Sequence, residues 1–406
     1  MVNKFLCDFR FLLLAAAVAF IYIQMRLFTT QSEYADRLAT AVEAETRCTS
    51  QMRKLIDQIS MQQSRIVDLE VKGLQRWMDK LQTHVAAVVI MACNRDDYLE
   101  RTIKSILTQD TLYQNAVASK YPLFVSQDGS DPQVRKKALS YDQVTYMQHL
   151  DSKPVQTERP GELIAYYKIA RHYKWALDEL FYKHNFSRVI ILEDDKEIAP
   201  DFFDYFEAAA ALMEKDKTIM VVSSWNDNGQ KQFVHDSEIL YRSDFFPGLG
   251  WMLTKPTWNE LSPKLQENHK GRQFIRPEVC RTYNFGDHGS SLGQFFRQYL
   301  EPIKLNDVQV DWKSKDLSYL MEDKYIKHFV EILKNAKPIY GADAVLKASN
   351  QSDFERIARQ FGVFQEWKDG VPRTAYKGVV VFRYPPPRRV FLVGLKSFKL
   401  LGIKGV

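Results

Sequence analysis

The chain has 406 residues, of which 45% are hydrophobic and 13% aromatic, so it can form a large core and a smaller companion domain. Its net charge of +6 is small, and lysines and arginines are scattered without a basic stripe, which argues against nucleic-acid binding. The 4 cysteines include no CxxC pair, which argues against structural zinc sites and a disulfide-dense fold.

The N-terminus has the pattern of a membrane segment. Residues 1–10 form a short tail with basic side chains, and a long apolar run follows in which only Gln24 is polar. We predict a transmembrane signal anchor over residues 11–28, short enough to favour a thin membrane of the early secretory pathway. A cleaved signal peptide is the alternative, because residues 15–19 are small. The stalk-like segment that follows favours the uncleaved anchor.

Residues 29–82 predict a coiled-coil stem. Apolar positions recur there at alternating spacings of four and three, imperfectly at Glu45 and Gln62, and the pattern fades at Gly73. The stem is therefore expected to pair with a second copy, and Cys48 could form an interchain disulfide in an oxidising lumen. A lone amphipathic helix is the alternative. The seam positions are Tyr34, Leu38, Ala41, Glu45, Cys48, Met52, Leu55, Ile59, Gln62, Ile66 and Leu69.

Strand and helix patterns alternate through residues 83–318. Such alternation predicts an α/β domain with a Rossmann-like, doubly wound and mostly parallel sheet. The predicted strands are residues 85–92, 123–126, 144–148, 188–192 and 219–223, and the predicted helices are residues 98–107, 162–181 and 202–215.

The pattern changes after about residue 319. A helix is predicted over residues 354–361, and strands over residues 378–384 and 389–393 flank a run of prolines. A small C-terminal α+β domain over residues 319–406 is the simplest account.

Glu193, Asp194 and Asp195 follow directly on the apolar run of residues 188–192. That run predicts a strand buried on both faces, so the carboxylates emerge at its C-terminal end, where open α/β sheets bind ligands. Closely spaced carboxylates repel each other unless a cation compensates them, and Mg²⁺ or Mn²⁺ bridging two phosphates suits oxygen ligands. The alternative is that these acids cap the helix that begins near Pro200.

Three more residues are candidates for the same edge of the sheet. Arg95 follows the first predicted strand, and Asp128 follows the second, so both could face a nucleotide. An ordinary surface arginine and an ordinary Asp-Gly turn are the alternatives. His172 lies opposite the apolar stripe of its predicted helix, so we expect it to lie outside the core.

From about residue 85 to its end, the chain resembles the Golgi N-acetylglucosaminyltransferase I family, and its plant members most. The matches are long and keep their order over most of the chain beyond the stem. They comprise residues 125–129, 167–173, 192–195, 199–203, 224–229, 244–251 and 293–296.

The resemblance implies a GT-A fold, a single-pass type II Golgi membrane protein and Mn²⁺ as cofactor. It implies inverting transfer of GlcNAc from UDP-GlcNAc, in β1,2 linkage, to the α1,3-mannose arm of a high-mannose N-glycan on glycoproteins. Asp195 would bind Mn²⁺, and Ser291 would help to close over the diphosphate. The residues that would contact the UDP-sugar are Arg95, Asp128, His172, Glu193 and Asp194.

The chain departs from the family pattern at two abrupt gaps. After Lys264, family members continue through a tryptophan-rich segment that carries the general base, whereas here Leu265 follows at once. A second gap falls between Lys347 and Phe354. The catalytic base is therefore unknown, and proton removal from the acceptor requires a substitute. The remaining acids are Asp227, Asp244, Glu260 and Glu267.

Two smaller departures concern single residues. Lys196 stands where family members carry an apolar residue, and a cation there should weaken metal binding unless solvent screens it. Gly129 stands where some relatives have a cysteine that could pair with the one at Cys93, so we leave Cys93 and Cys280 unpaired. The functional prediction is a family transferase; the alternative is a catalytically impaired form that binds UDP-sugar and associates through its stem.

Overall fold

The computed structural model describes residues 2–80, 84–108, 118–157, 161–263, 269–289, 293, 295–336, 344–368, 370–394 and 396–403. The chain divides into two compact units, Met1–Trp77 and Met78–Val406. The predicted divisions at residues 28, 82 and 318 stay predictions.

Helix α1, Val2–Lys80, is one continuous helix. The stretch Phe11–Gln63 contains a window apolar and long enough to cross a membrane, which is compatible with a type II anchor. Seam residues Leu38, Leu55 and Ile59 are more than half exposed on this single helix. The predicted seam therefore lies on an exposed apolar face of α1.

The second unit alternates strands and helices along the chain. The strands Leu123–Asp128 and Arg188–Glu193 are longer than predicted and reach the candidate acids Asp128 and Glu193. Phe202–Lys215 and Ile219–Ser223 match the predicted bounds. Up to residue 284 the elements are β1 Ala87–Ala92, α2 Asp96–Thr108, α3 Ala118–Lys120, β2 Leu123–Asp128, α4 Pro132–Ala138, β3 Val144–His149, α5 Ile164–Asp178, β4 Arg188–Glu193, β5 Lys196–Ile198, α6 Phe202–Lys215, β6 Ile219–Ser223, β7 Leu240–Ser243, β8 Trp251–Thr254, α7 Lys255–Leu261, β9 Gln273–Pro277 and β10 Thr282–Asn284.

Within the described residues, eight strands form one sheet in the order β3-β2-β1-β4-β8-β6-β9-β7. Strands β1 to β4 are parallel, as predicted, but β8 lies antiparallel between β4 and β6, and β7 is antiparallel to β9. The sheet is therefore mixed. Helices cover both of its faces: Ile190 packs in one apolar cluster with α2 and α6, and its neighbour Ile191 packs in another with α5.

Beyond residue 319 the elements are α8 Glu322–Asn335, β11 Ala344–Lys347, α9 Gln351–Phe361, β12 Trp367–Lys368, β13 Val371–Pro372, β14 Val379–Arg383, β15 Arg389–Val393 and α10 Ser397–Leu400. Strands β11, β15 and β14 form a small sheet in that order. One face of this sheet, with Val381 and Phe391, joins the cluster that contains Ile190 of the large sheet. The region thus shares a core with the α/β part. Cys93 and Cys280 are free thiols.

The prediction for His172 is wrong. Its side chain is buried, whereas Leu163 and Tyr166 of the predicted apolar stripe are about half exposed. Of the stripe, only Leu177 and Leu180 are buried in the core, and Tyr173 packs partly against it. His172, near the middle of α5, instead contacts Ser126 of β2, whose Oγ lies 2.8 Å from His172 Nε2.

Candidate functional site

The carboxyl ends of three adjacent parallel strands bring the predicted site residues together. Arg95 follows β1, Asp128 ends β2, and Glu193 ends β4 immediately before Asp194. Because β1 lies between β2 and β4, these ends share one edge of the sheet, as the sequence predicts.

Arg95 joins the two aspartates of the triplet. Its guanidinium donates through Nη2 to Asp194 Oδ1 and, at 3.0 Å, to Asp195 Oδ2. Nη1 donates to the backbone oxygen of His288 at 2.7 Å. The arginine side chain remains 27% exposed, whereas both aspartates are buried. A partly exposed guanidinium over two buried carboxylates fixes their positions and leaves a cationic edge towards solvent.

The surroundings shift the pKa values of Asp194 and Asp195 in opposite directions. Burial raises the pKa of Asp194 to about 6, with Arg95 opposing the shift and Asp195 adding to it. Burial also acts to raise the pKa of Asp195, but Lys196 and then Arg95 outweigh it and leave that pKa below its ordinary value. Asp195 is therefore the carboxylate that the site keeps charged most firmly.

Lys196 lies inside this cluster and is 0% exposed. Its Nζ donates to Asp195 Oδ1 and, at 3.0 Å, to Glu193 Oε2. The two acids outweigh the effect of burial and raise the pKa of Lys196, so the ammonium stays charged. The side chain is fully buried, so the alternative that solvent screens this cation does not apply.

The fit of a divalent metal at Asp195 is poor in this arrangement. One carboxylate oxygen accepts from Lys196 and the other from Arg95, so cations already engage both. Among the residues that the structure describes, no group of three or more His, Cys, Asp or Glu side chains is placed to hold a metal ion. The metal role of Asp195 stays a prediction.

A second polar group lies at the ends of β2 and β3. His149 Nδ1 donates to Asp128 Oδ1 at 2.8 Å, and the rings of His149 and His172 stack 5.5 Å apart. Ser126 Oγ lies 2.8 Å from His172 Nε2. Burial lowers the pKa of His172 to about 4; Asp128 opposes this shift and His149 adds to it. His172 thus acts as a neutral buried support beneath the half-buried Asp128.

A loop over residues 285–289 covers the aspartates. The Phe285 amide donates to the Asp195 backbone oxygen at 3.1 Å, and Tyr98 OH donates to Asp287 Oδ1 at 2.7 Å. A Cβ at Gly286 would collide with the Asp195 carboxylate, so only glycine permits this approach. Sequence reasoning missed this loop and His149, and no motif signalled either. Ser291 lies outside the described residues.

An open cleft of about 330 Å³ adjoins the triplet. Glu193 lines it with its side chain 39% exposed, and Tyr173 OH donates to Glu193 Oε1 at 3.0 Å. Aromatic side chains that flank a carboxylate suit a sugar, whose ring has apolar faces and whose hydroxyls donate hydrogen bonds. The other lining residues are Tyr166, Ile169, Ala170, Ile191, Phe246, Gly248, Leu249, Gly250 and Trp251.

Each described candidate for the catalytic base is hydrogen-bonded or ion-paired to a side chain that does not line the cleft. Asp227 is buried and accepts from Arg373 at 2.9 Å; burial raises its pKa, and Arg373 opposes the shift. Asp244 accepts from Gln273 at 2.6 Å, and the exposed Glu260 pairs with Lys270 at 3.1 Å. None of these three lines the cleft. Glu267 lies outside the described residues.

Comparison with known families identifies the chain. The model of the GNT-I family matches residues 14–84 and 76–405. The chain belongs to the GNT-I family. A relative from Arabidopsis thaliana, an alpha-1,3-mannosyl-glycoprotein 2-beta-N-acetylglucosaminyltransferase, is 66% identical over 441 residues, covering 98% of each chain. This GNT-I chain has only 406 residues, so some aligned positions have no residue here.

Solved structures resemble this GNT-I chain only distantly. A mannosyltransferase from Pyrobaculum calidifontis, solved with GDP-Man and Mn²⁺, is 16% identical with a TM-score of 0.32, covering 66% of this chain and 72% of its own. Mouse xyloside xylosyltransferase 1 is 12% identical with a TM-score of 0.30, covering 46% and 73%.

Proposed function

We propose that this chain is a GT-A-type N-acetylglucosaminyltransferase that takes GlcNAc from UDP-GlcNAc. Its acceptor is the α1,3-mannose arm of a high-mannose N-glycan, in β1,2 linkage, and its place is the Golgi membrane in single-pass type II orientation. The 66% identity to the Arabidopsis relative over nearly the whole chain carries this proposal.

The site supports a nucleotide-sugar donor. The cationic edge of Arg95 suits a diphosphate, and the half-buried Asp128, held by His149, suits a uridine donor group. Glu193 faces the cleft beside Tyr173, where a sugar hydroxyl could donate to its carboxylate. Ser291 completes the proposed set. Inversion needs one in-line displacement by the acceptor hydroxyl, so positioning and proton removal are the tasks of the protein.

Mn²⁺ is the cofactor that the family resemblance implies, and it would supply charge stabilisation at the departing diphosphate. Asp195 is the residue proposed to hold it. Because Lys196 and Arg95 engage both oxygens of Asp195, the side chains as arranged do not fit that ion.

We further propose that the chain turns over slowly. The family's base segment has no counterpart after Lys264, and aligned positions without a residue in this chain support such a gap. The described substitutes, Asp227, Asp244 and Glu260, each pair with other side chains. Loss of a general base commonly costs about 10²- to 10⁴-fold in rate.

The test separates donor binding from transfer. Full-length chain in detergent is titrated with UDP-GlcNAc by calorimetry and then incubated with UDP-GlcNAc, Mn²⁺ and a five-mannose N-glycan. We expect measurable binding and little transfer by mass spectrometry. A chain carrying the Arabidopsis relative's residues inserted between Lys264 and Leu265 should transfer about 10²- to 10⁴-fold faster.

The outcomes are distinct. Binding of UDP-GlcNAc no tighter than of UDP-glucose would contradict the donor. Robust addition of one N-acetylhexosamine by the uninserted chain would contradict slow turnover and point to one of the four remaining acids as the base. A rate unchanged by the insertion would place the defect outside this segment.

A further inference from the structure

Lys196 is fixed in place by its backbone as well as by its ion pairs. It begins β5, where it lies opposite Asn284 of β10 in an antiparallel pair. Its amide donates to Thr102 Oγ1 at 3.1 Å, and that hydroxyl donates to the Asp194 backbone oxygen at 2.8 Å. The side chain is 0% exposed, so the ammonium lies inside the cluster and not in solvent.

The net charge of the cluster depends strongly on Lys196. Glu193, Asp194 and Asp195 bring three negative charges when ionised, against Arg95 and Lys196. Without Lys196, the acids exceed the arginine by two charges, which is the deficit that one divalent cation fills. With Lys196, only one excess charge remains. The ammonium thus already supplies much of the compensation that would attract a metal.

The geometry also argues against a metal ion and the Lys196 ammonium binding the Asp195 carboxylate together. Lys196 takes Asp195 Oδ1, Arg95 takes Oδ2, and the Gly286 backbone passes closely over the same carboxylate. A divalent ion on Asp195 would have to sit beside this buried ammonium, and two cations in a poorly solvated site repel strongly.

We propose that Lys196 is a built-in cation that takes the place of a divalent metal at Asp195. This inference rests on the proposed function only in taking Asp195 as the metal position. As a consequence, this chain binds Mn²⁺ weakly at Asp195, and removal of the lysine charge opens a metal site there.

The experiment measures Mn²⁺ alone, with no nucleotide or acceptor, so that its result does not depend on transfer. Full-length protein in detergent is titrated with Mn²⁺, and free Mn²⁺ is followed by electron paramagnetic resonance. Lys196→Met keeps the length and apolar stem of the side chain and removes its charge. We expect this variant to bind Mn²⁺ at least about tenfold more tightly than the unchanged chain.

Two controls define the site. Asp195→Asn combined with Lys196→Met should lose the gained binding. Lys120→Met removes a lysine that pairs with Glu207 at 2.8 Å elsewhere on the domain, and it should leave the Mn²⁺ titration unchanged. In thermal unfolding, Mn²⁺ should raise the melting temperature of Lys196→Met and not that of the unchanged chain.

Equal Mn²⁺ affinity in the unchanged chain and in Lys196→Met, including no binding by either, overturns the proposal. If Lys196→Met does not fold, the unchanged chain decides. Tight Mn²⁺ binding that Asp195→Asn abolishes overturns the proposal, and the absence of such binding upholds it. Either result leaves the question of UDP-GlcNAc binding to its own titration.

Discussion

Single residues at the carboxyl edge of the sheet act in pairs. Arg95 is positioned by the end of β1 and in turn holds Asp194 and Asp195, so one guanidinium sets the geometry of two acids. His172 similarly supports the layer beneath Asp128 through the stacked ring of His149. The residues that would meet a substrate thus depend on side chains one layer below them.

The buried imidazole of His172 predicts a pH dependence of stability. Its pKa is about 4 in the folded chain, below the ordinary value of 6.5, because burial and His149 outweigh Asp128. Between these values the unfolded chain binds a proton that the folded chain does not. The neutral imidazole therefore contributes about 3 kcal/mol to the free energy of unfolding. This contribution is complete above pH 6.5 and is lost as the pH falls towards 4.

Urea unfolding at about pH 7 and pH 4 measures this effect. In His172→Gln, the fall in unfolding free energy between the two pH values should be smaller by about 3 kcal/mol. The matched control is His235→Gln, at an exposed histidine, which should keep the original pH dependence. A His172→Gln chain with an unchanged difference would show that this imidazole does not carry it.

The sequence predicted the position of these residues better than their surroundings. Arg95, Asp128 and Glu193 were found because polar residues that directly follow parallel strands must meet at one edge. The burial of Lys196 was missed because its neighbours Thr102 and Asn284 come from distant parts of the chain. No sequence pattern around Gly286 indicates that its backbone lies close to the Asp195 carboxylate.

At the scale of elements, prediction from hydrophobic periodicity succeeded where an element packs against one core along its whole length. Strand β6 and helix α6 match their predicted bounds because their apolar faces meet the sheet core along their whole length. Helix α5 did not follow its apolar stripe, since only its C-terminal half contacts that core. The antiparallel insertion of β8 between β4 and β6 could not be predicted, because strand order depends on distant pairings.

Helix α9 begins with a capping residue close to the end of β11. Asn350 Oδ1 accepts from the Asp353 amide at 2.9 Å and thereby caps the helix only three residues beyond β11. Asn350→Ala should lower the unfolding free energy by about 1 kcal/mol. Residues 350–352 also have the Asn-X-Ser pattern of an N-glycosylation acceptor, which Asn350→Ala removes. Ser352→Ala is therefore the control, because it removes this sequon and keeps the cap.

Urea unfolding of protein produced with glycosylation separates the two effects. Loss of stability in Asn350→Ala alone supports the cap. Equal loss in Ser352→Ala would assign the effect to a glycan, and no loss in either would show that the turn after β11 holds without this hydrogen bond.

At the scale of the whole molecule, the long helix α1 carries an exposed apolar seam along its length. The seam residues Leu38, Leu55 and Ile59 each expose more than half of their surface on the single helix. Burying such aliphatic surface against another chain would be favourable. A second copy of the same helix offers a matching seam in the same register, and Cys48 lies on that seam as an exposed thiol.

The last prediction is that the chain self-associates through this seam. Leu55→Asn combined with Ile59→Asn removes two aliphatic contacts per helix, each worth about 1.5–3 kcal/mol when buried, so the dissociation constant should rise at least about hundredfold. Gln51→Asn with Gln58→Asn changes two neighbouring residues off the seam and should leave association unchanged. Light scattering of the full chain in detergent, and a non-reducing gel that reports a Cys48 disulfide, provide the measurements. A monomer in the unchanged chain, or equal association in both double variants, would show that the seam faces no second copy and that α1 acts as a lone amphipathic stalk.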